Sequence, residues 1–429
     1  MFDRPRGAPG RRGDRAHGFA RPTRPGEPSG LTLPLLILSA GDPSGDRLGS
    51  ALLGALRARG VAVDAAGIGG PALREAGLRT VAPMESVAVM GFAEILTHLG
   101  AIRRARRGLR DLLEANPDAI FLPIDAPGLH LGLARQAHRL GRRVVYYVCP
   151  QIWAWGFGRV ARLREDVDLT LLLFRFEEAI LKRESVAAAW VGHPAGALRP
   201  DAAATAAARC DFGLAPDERL LALLPGSRRG EVARHLAPML DAAARLAAHG
   251  GGRLRVVVSD AGSVEAARRR PETAALWTTL DPQVHRGPSE PLLRASDLAL
   301  VASGTATLET AALGVPLVLV YRTGALNYAI ARRLVKLRRI GLVNIVLDED
   351  VVPECVQGGA TGAAIAAAAA PLLTDAAARE RQRAAFARLP EILGGAGAAE
   401  RAADALLDFA SRTAGRAAGA ATSRARVER

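Results

Sequence analysis

Residues 31–41, LTLPLLILSAG, form an apolar run that breaks directly into the turn sequence DPSGD. A run with no polar alternation is what a strand buried on both faces of a parallel sheet requires. Parallel neighbours cannot be joined by a hairpin, so each such strand needs a crossover, usually a helix. The chain supplies one at once: DPSGDRLGSALLGALRARG reads as turn, helix and glycine stop. The same unit recurs, with further strands expected at 61–69, 119–125, 142–150 and 168–174 and helical segments between them. The turn-rich tract 199–218 reads as a linker, after which the alternation restarts. A strand and loop at 219–228 precede a helix at 230–250, a strand at 253–260 and a strand–loop–helix–strand unit at 297–322. Beyond residue 360 the chain is Ala-rich helix. Two successive βα-repeating halves predict an α/β protein of two doubly wound, Rossmann-like domains with a cleft between them. The expected boundaries are a disordered basic tail at 1–30, an N-terminal domain at 31–198 and a C-terminal domain at 199–375. C-terminal helices follow at 376–410, and a second disordered basic tail at 411–429.

At 429 residues the chain can give each domain its own core, and 49% hydrophobic with 23% charged residues excludes a disordered protein. Cys149, Cys210 and Cys355 lie far apart with no metal-ligand spacing, as expected of reduced thiols in the cytoplasm. No run approaches the roughly 18–20 apolar residues of a membrane span. An arginine pair upstream of the first apolar run resembles an export signal. That run, however, leads straight into a turn and an amphipathic helix, as a first strand should. The formal net charge of +14 points to anionic partners. Part of it sits in the tails, where residues 1–30 hold seven arginines against three acids and 411–429 hold five against Glu428. The rest includes RRARRGLR (103–110) and RRLVKLRR (332–339), runs that ordinarily form solvated faces. With 4% aromatics for base stacking and much of the charge in tails, a nucleic-acid partner is not expected.

Four loops stand where a strand runs into a helix. In LVASGTATLETAALGVPLV (300–318) the strand ends in Ser303-Gly304-Thr305 and the helix opens immediately. Gly304 lets a ligand approach the backbone, and N–H groups at the positive end of the helix dipole suit a phosphate. Ala306 and Thr307 complete the turn, and Glu309 is close enough to accept bonds from sugar hydroxyls. In LLPGSRRGEV (223–232), Gly226, Ser227 and Arg228 form a second loop of this kind, with a planar guanidinium suited to phosphate. Neither loop is a Walker A or dinucleotide motif. In SAGDPSGDRLGS (39–50) the acids Asp42 and Asp46 would oppose a phosphate, so Asp42 and Ser44 suit hydroxyl-bearing groups, or a structural cap. In AIFLPIDAPG (119–128) a carboxylate, Asp125, closes an apolar strand. It fits a helix cap or turn, or a group facing the ligand crevice at the strand ends. VMGFAEILTHL (89–99), with Met90 and Phe92, is apolar and precedes the basic run; it fits core or a lipid contact. His193, in VGHP, is expected in an interdomain turn.

Taken together, SAGDPSGD, GIGGPALREAG (67–77), VMGFAEIL, IDAPG, CPQIWAWGFGR (149–159), VGHP, LLPGSRRGEV, ASGTATLE and LVNIVLDEDVVPECVQ (342–357) occur in the order seen in the lipid-A-disaccharide synthase family. The resemblance covers residues 33–375 or so. It implies the GT-B glycosyltransferase architecture and a metal-independent, inverting reaction without a cofactor. In that reaction UDP-2,3-diacylglucosamine and 2,3-diacylglucosamine 1-phosphate give the lipid A disaccharide 1-phosphate and UDP. It further implies acylated glucosamine substrates taken from the anionic inner-membrane surface, with the protein peripheral on the cytoplasmic face; a homodimer is compatible with it. By resemblance, Asp125 matches the proposed general base and Arg228 the arginine of the Pro-Gly-Ser-Arg loop. Ser303 to Glu309 match the UDP-binding turn and Asn344 an asparagine associated with activity. On the acceptor side stand Asp42, Ser44, Met90 and Phe92. Asp42 stands where the family usually has Glu, Arg175 where it commonly has Pro, and the N-terminal tail has no counterpart. A UDP-sugar enzyme acting on a peptidoglycan precursor would share the nucleotide loops but lack MGFAEIL and CPQIWAW.

Overall fold

The computed structural model describes residues 32–87, 92–153, 158–249, 253–324 and 338–427, with the side chains of 92–98, 249 and 414–427 left aside. Among these residues the strands form two all-parallel sheets. The first joins β1 (Leu36–Ala40), β2 (Ala65–Gly69), β3 (Arg79–Pro83), β4 (Ile120–Ile124), β5 (Arg143–Tyr147), β6 (Leu169–Leu172) and β7 (Ala188–Trp190) in the order β3-β2-β1-β4-β5-β6-β7. The second joins β8 (Arg219–Leu224), β9 (Leu254–Ser259), β10 (Gln283–His285), β11 (Leu298–Ala302), β12 (Leu317–Tyr321) and β13 (Glu354–Val356) in the order β10-β9-β8-β11-β12-β13. Strand order therefore reverses between β1 and β4 in one sheet and between β8 and β11 in the other. In open α/β sheets the ligand crevice lies at the carboxyl ends of the strands flanking such a reversal.

The sequence pattern explains which strands are central. β1, β4 and β11 are buried along their whole length, as their unbroken apolar runs require, whereas edge strand β3 is mostly exposed. β2 is shorter than expected: only Ala65–Gly69 pairs fully, and Ala62 makes an isolated bridge to Thr32. The tract 199–218, expected as linker, instead contains a helix, Ala202–Asp211. Asp201 caps it by accepting from Ala204 N–H, and the alanine run has the highest helix propensity of any residue. Arg209 donates to the carbonyl of Ala295 and to Asp297, fastening this helix to the second domain.

The Ala-rich C-terminus crosses back. Helix Ala398–Val427 packs along helix Pro43–Ala58 of the first domain. Arg59 grips Asp404 with two bonds, and Arg401 donates to the carbonyl of Val191. Residues 411–427, read from sequence as a disordered tail, continue this helix, in keeping with their alanine content. The tail at 1–30 lies outside the described residues, as do Met90 and the side chain of Phe92. Among the described residues no helix is long and apolar enough to cross a membrane.

Candidate active site

The four loops singled out in the sequence are the loops that follow β1, β4, β8 and β11. They are thus the loops at the two reversal points, two from each domain. At the first, Gly41 leaves β1 and packs against the β4 loop so closely that an added Cβ would sit 2.5 Å from Ala126 Cβ. Asp42 then caps helix Pro43–Ala58: its Oδ1 accepts from Gly45 N–H (2.8 Å) and the Ser44 hydroxyl (2.9 Å). Both Ser44 and one Asp42 oxygen are therefore engaged locally, leaving Asp42 Oδ2 to face across the cleft. Asp46 is buried and caps the next helix, accepting from the N–H groups of Gly70, Ala72 and Leu73.

Asp125 is not a cap. The residue before helix Pro127–Arg139 is Ala126, whose methyl side chain makes no cap bond. Asp125 and Ala126 both take left-handed backbone, φ 47° and 46°, which costs roughly 1–2 kcal/mol per non-glycine residue. Two hydrogen bonds to the Asp125 carbonyl oppose that cost, from His130 Nδ1 (2.6 Å) and the Tyr146 hydroxyl (2.8 Å). Because a carbonyl only accepts, His130 Nδ1 carries the proton. Burial holds the ring neutral, with its pKa pushed down to about 4, so Nε2 accepts from Ser39 Oγ at 2.8 Å. The carboxyl of Asp125 is pushed up to about 6, chiefly by burial and then by the charge of Asp42; the Ala126 N–H, then Arg228 and Arg159, pull the other way. That is a carboxylate poised to take and return a proton near neutral pH.

In the second domain Gly226 turns at φ 113°, where a Cβ would come 2.7 Å from Glu231 Oε2. Arg228 follows, donating to Glu231 (3.0 Å) in the first turn of the next helix, Arg229–His249, and, across the cleft, to Asp42 Oδ2 (3.2 Å). A second and more exposed cross-cleft pair joins Arg47 to Glu309 at 3.7 Å. Behind the loop His235 is buried and its pKa is lowered by burial. Its Nδ1 donates to Pro225 O (2.9 Å), and Nε2 accepts from Arg322 N–H (2.8 Å). At β11, Gly304 takes φ 154° and opens helix Thr305–Ala312; a Cβ there would meet no atom within 4 Å. In these two turns Ser227 is exposed and Ser303 and Thr305 are half-buried. Ser289 orients Glu309 by donating to its Oε2 (3.2 Å).

Two expected ligand residues are turned inward. Thr307 is buried, and its hydroxyl donates to Gly304 O at 2.7 Å, so it shapes the turn. Ala306, half-buried, has only its backbone to offer. Asn344 is buried with its amide fully used: Nδ2 donates to Val352 O and Glu354 Oε1, while Oδ1 accepts from Val351 and Val352 N–H. It ties helix Leu342–Leu347 to the segment Val351–Glu354 that leads into β13, and its amide has no group left for the cleft. His193 lies in the turn after β7, as expected, and accepts from Ala195 N–H. Ser39, His130, Tyr146 and His235 escaped the sequence reading. The available signal was a lone histidine amid leucines in LHLGL and RHLAPML, helical stretches that otherwise read as core.

Comparison with known proteins decides what this cleft belongs to. The pattern of the lipid-A-disaccharide synthetase family matches residues 36–403. The chain belongs to the lipid-A-disaccharide synthase family. It is 42% identical to the lipid-A-disaccharide synthase of Pseudomonas aeruginosa (strain PAO1) over 344 residues, covering 79% of this chain and 89% of that protein. It is 36% identical to the Geobacter metallireducens (strain GS-15) enzyme over 374 residues, covering 87% and 97%. Among solved structures it resembles the calicheamicin glycosyltransferase CalG4, with a TM-score of 0.54 at 18% identity over 89% of this chain and 99% of that one. It also resembles the UDP-GlcNAc 2-epimerase from Neisseria meningitidis, with a TM-score of 0.57 at 12% identity over 88% and 100%. At those identities the likeness is one of fold, and the fold is GT-B. Family membership makes the chain a UDP-sugar-dependent hexosyltransferase of lipid A biosynthesis, with the family's reaction, and sets aside a peptidoglycan-precursor substrate.

Proposed function

We propose that the disaccharide is made between the two reversal points, with Asp125 as general base and Arg228 as the main cation for the departing UDP. The acceptor's primary 6-hydroxyl is a weak nucleophile until a carboxylate takes its proton. Its oxygen then bonds to the anomeric carbon of the donor as the bond from that carbon to the UDP oxygen breaks. The proton ends on Asp125, and the bond electrons leave with UDP. One displacement inverts the anomeric centre and needs no protein nucleophile. Charge developing on the diphosphate meets Arg228, the N–H groups of the Gly226–Ser227 and Ser303–Thr305 turns and the helix dipoles. Glu309 is suited to the sugar hydroxyls of the nucleotide, and Asp42 with Ser44 borders the acceptor side. The family resemblance implies a reaction without a metal, and EDTA should then leave turnover intact.

The observation that carries this reading is the reach of Arg228, from one domain, to Asp42 at 3.2 Å in the other, with both charges acting on Asp125. Purified protein given both labelled lipid substrates should form disaccharide. The Asp125→Asn enzyme should bind UDP as wild type and form little product; near-normal product would remove Asp125 from the chemistry.

The acylated substrates also require access to a membrane surface. Helix Phe92–Ala115 buries Ala105, Leu109 and Leu113 and exposes Arg103, Arg104, Arg107 and Arg110, with Arg106 half-buried. A cationic face of this kind suits the anionic, cytoplasmic surface of the inner membrane, each cation contributing about 1 kcal/mol within a Debye length of about 8–10 Å. Binding to anionic vesicles that falls steeply with salt, and falls again when these arginines become Gln, is the expected result.

A further inference from the structure

Three buried polar side chains stand behind the Asp125 turn. Ser39, His130 and Tyr146 each have essentially no exposure. Ser39 lies on β1 in register with Pro123 of β4, Tyr146 on β5, and His130 on the helix that follows the turn. Two of them bond one atom, the carbonyl oxygen of Asp125, which accepts from His130 at 2.6 Å and from Tyr146 at 2.8 Å. Ser39 Oγ, 91 residues away in sequence, meets the far nitrogen of the same imidazole at 2.8 Å.

We infer that His130 is a positioning residue for the catalytic base: by bridging Ser39 to the Asp125 carbonyl it fixes the left-handed turn and so aims the Asp125 carboxylate into the cleft. The inference rests on the reading of Asp125 as general base. Packing does not demand an imidazole here. His130 is flanked by Leu129 and Leu131 with Leu133 beyond, and a leucine would fill an apolar site at less desolvation cost. What a leucine lacks is a donor to the carbonyl. The two donors occupy both lone pairs of that oxygen, so the 125–126 peptide cannot flip without leaving polar groups buried and unpaired. Gly41, tight against Ala126 Cβ, closes the remaining side. The side-chain direction of Asp125 follows from its backbone, and in general-base catalysis a shift of about 1 Å can cost about 10²-fold in rate.

The test compares His130→Gln with His130→Asn. The asparagine amide nitrogen falls where Nδ1 lies and can still donate to the carbonyl. The glutamine amide falls where Nε2 lies, so it keeps Ser39 and loses Asp125. For His130→Gln the expected result is a kcat lower by about 10–100-fold, with KM for the UDP-sugar within about twofold of wild type. The acid limb of the pH–rate profile should also be displaced. That limb is set by the groups facing Asp125: Asp42, the Ala126 N–H, Arg228 and Arg159, with Tyr146, Cys149 and Glu177 also in its field. His130→Asn should recover much of kcat and return the limb. Equal kcat in Gln, Asn and wild type, with Asp125→Asn still inactive, overturns the positioning role and leaves the base in place. Equal losses in Gln and Asn that track the melting temperature, with the limb unmoved, reduce His130 to a structural residue and also overturn it. Should His130→Gln fail to fold, Tyr146→Phe removes the other donor to the same carbonyl with almost no change of shape. A fall in kcat at constant KM supports the inference there, and unchanged kcat refutes it. If Asp125→Asn itself retains turnover, the base assignment and this inference fall together.

Discussion

In the N-terminal half, the loop after β4 turns through two left-handed residues that both carry side chains, Asp125 and Ala126. In the C-terminal half, the loop after β8 makes its left-handed turn at Gly226 and delivers the reactive side chain, Arg228, two residues later. Each loop is backed by a buried, neutral histidine on the following helix, donating from Nδ1 to a loop carbonyl and accepting at Nε2 from a neighbouring strand end. The difference lies in which residue does the turning. Arg228 has a long stem and reaches the cleft from beyond the turn, so glycine can relieve the strain at no cost in chemistry. Asp125 is short and must itself stand at the turn, so glycine is not available. The strain is instead held by a second donor, Tyr146, to the same carbonyl. A base built on a short side chain needs a more rigid support than a cation on a long one.

The largest effect expected from breaking this comparison is at Asp125. Asp125→Asn preserves shape and removes proton affinity, so turnover should fall about 10²–10⁴-fold with UDP affinity close to wild type by calorimetry. The complementary break in the other half is smaller. Arg228→Ala and Glu309→Ala should each weaken UDP binding by about 1–3 kcal/mol, the range for loss of a charged hydrogen bond. Unchanged affinity in both would move UDP out of the second domain.

His235→Leu tests whether the two histidines serve separate functions. It leaves Pro225 O and Arg322 N–H without their partner, which should lower stability by about 1–3 kcal/mol in chemical denaturation. It should also raise the Kd for UDP while leaving the pH limb of kcat unmoved; a displaced limb would mean that the two loops are not independent.

The smallest effects are on pH. As the proposed base, Asp125 would work only when ionised, and its pKa stands near 6, so activity should be full above that value and fall about tenfold per unit below it. Asp42→Asn removes a like charge and should move the limb to lower pH. Arg228→Ala removes an opposite charge and should move it higher. Shifts of the same sign in both would contradict the electrostatic account of Asp125. Stability is a poorer reporter over this range. His130 and His193, held neutral with pKa values near 4, lose stability as pH falls from about 6.5. Asp125 and Glu177, pushed up to about 6 and 7, gain stability over much of the same interval, so the contributions oppose one another.

How much of this was legible beforehand depended on whether the signal was local. Unbroken apolar runs marked β1, β4, β8 and β11 as buried strands. The Gly, Ser and Asp residues after them marked the loops that carry Asp42, Asp125, Arg228 and Gly304. Those features lie within a few residues of one another, and the backbone conformations they require are properties of the residues themselves. The turn-rich tract 199–218 misled for the same reason, since its flanking Pro and Gly residues drew attention from an alanine helix capped by Asp201.

What the sequence determined, then, is the alternation, the two halves and the place of each loop at a strand end, because periodicity and turn chemistry are short-range. Tertiary structure alone decided that Asp42 meets Arg228 across 186 residues and that Ser39 finds His130 across 91. It also decided that Asn344 spends its amide inside the fold and that the last helix returns to the first domain. A polar side chain carries the same hydrogen-bonding capacity wherever it lies in the sequence. Whether a ligand, a backbone carbonyl or another charge satisfies it depends on which strands become neighbours, and that is settled only when both sheets have formed and packed.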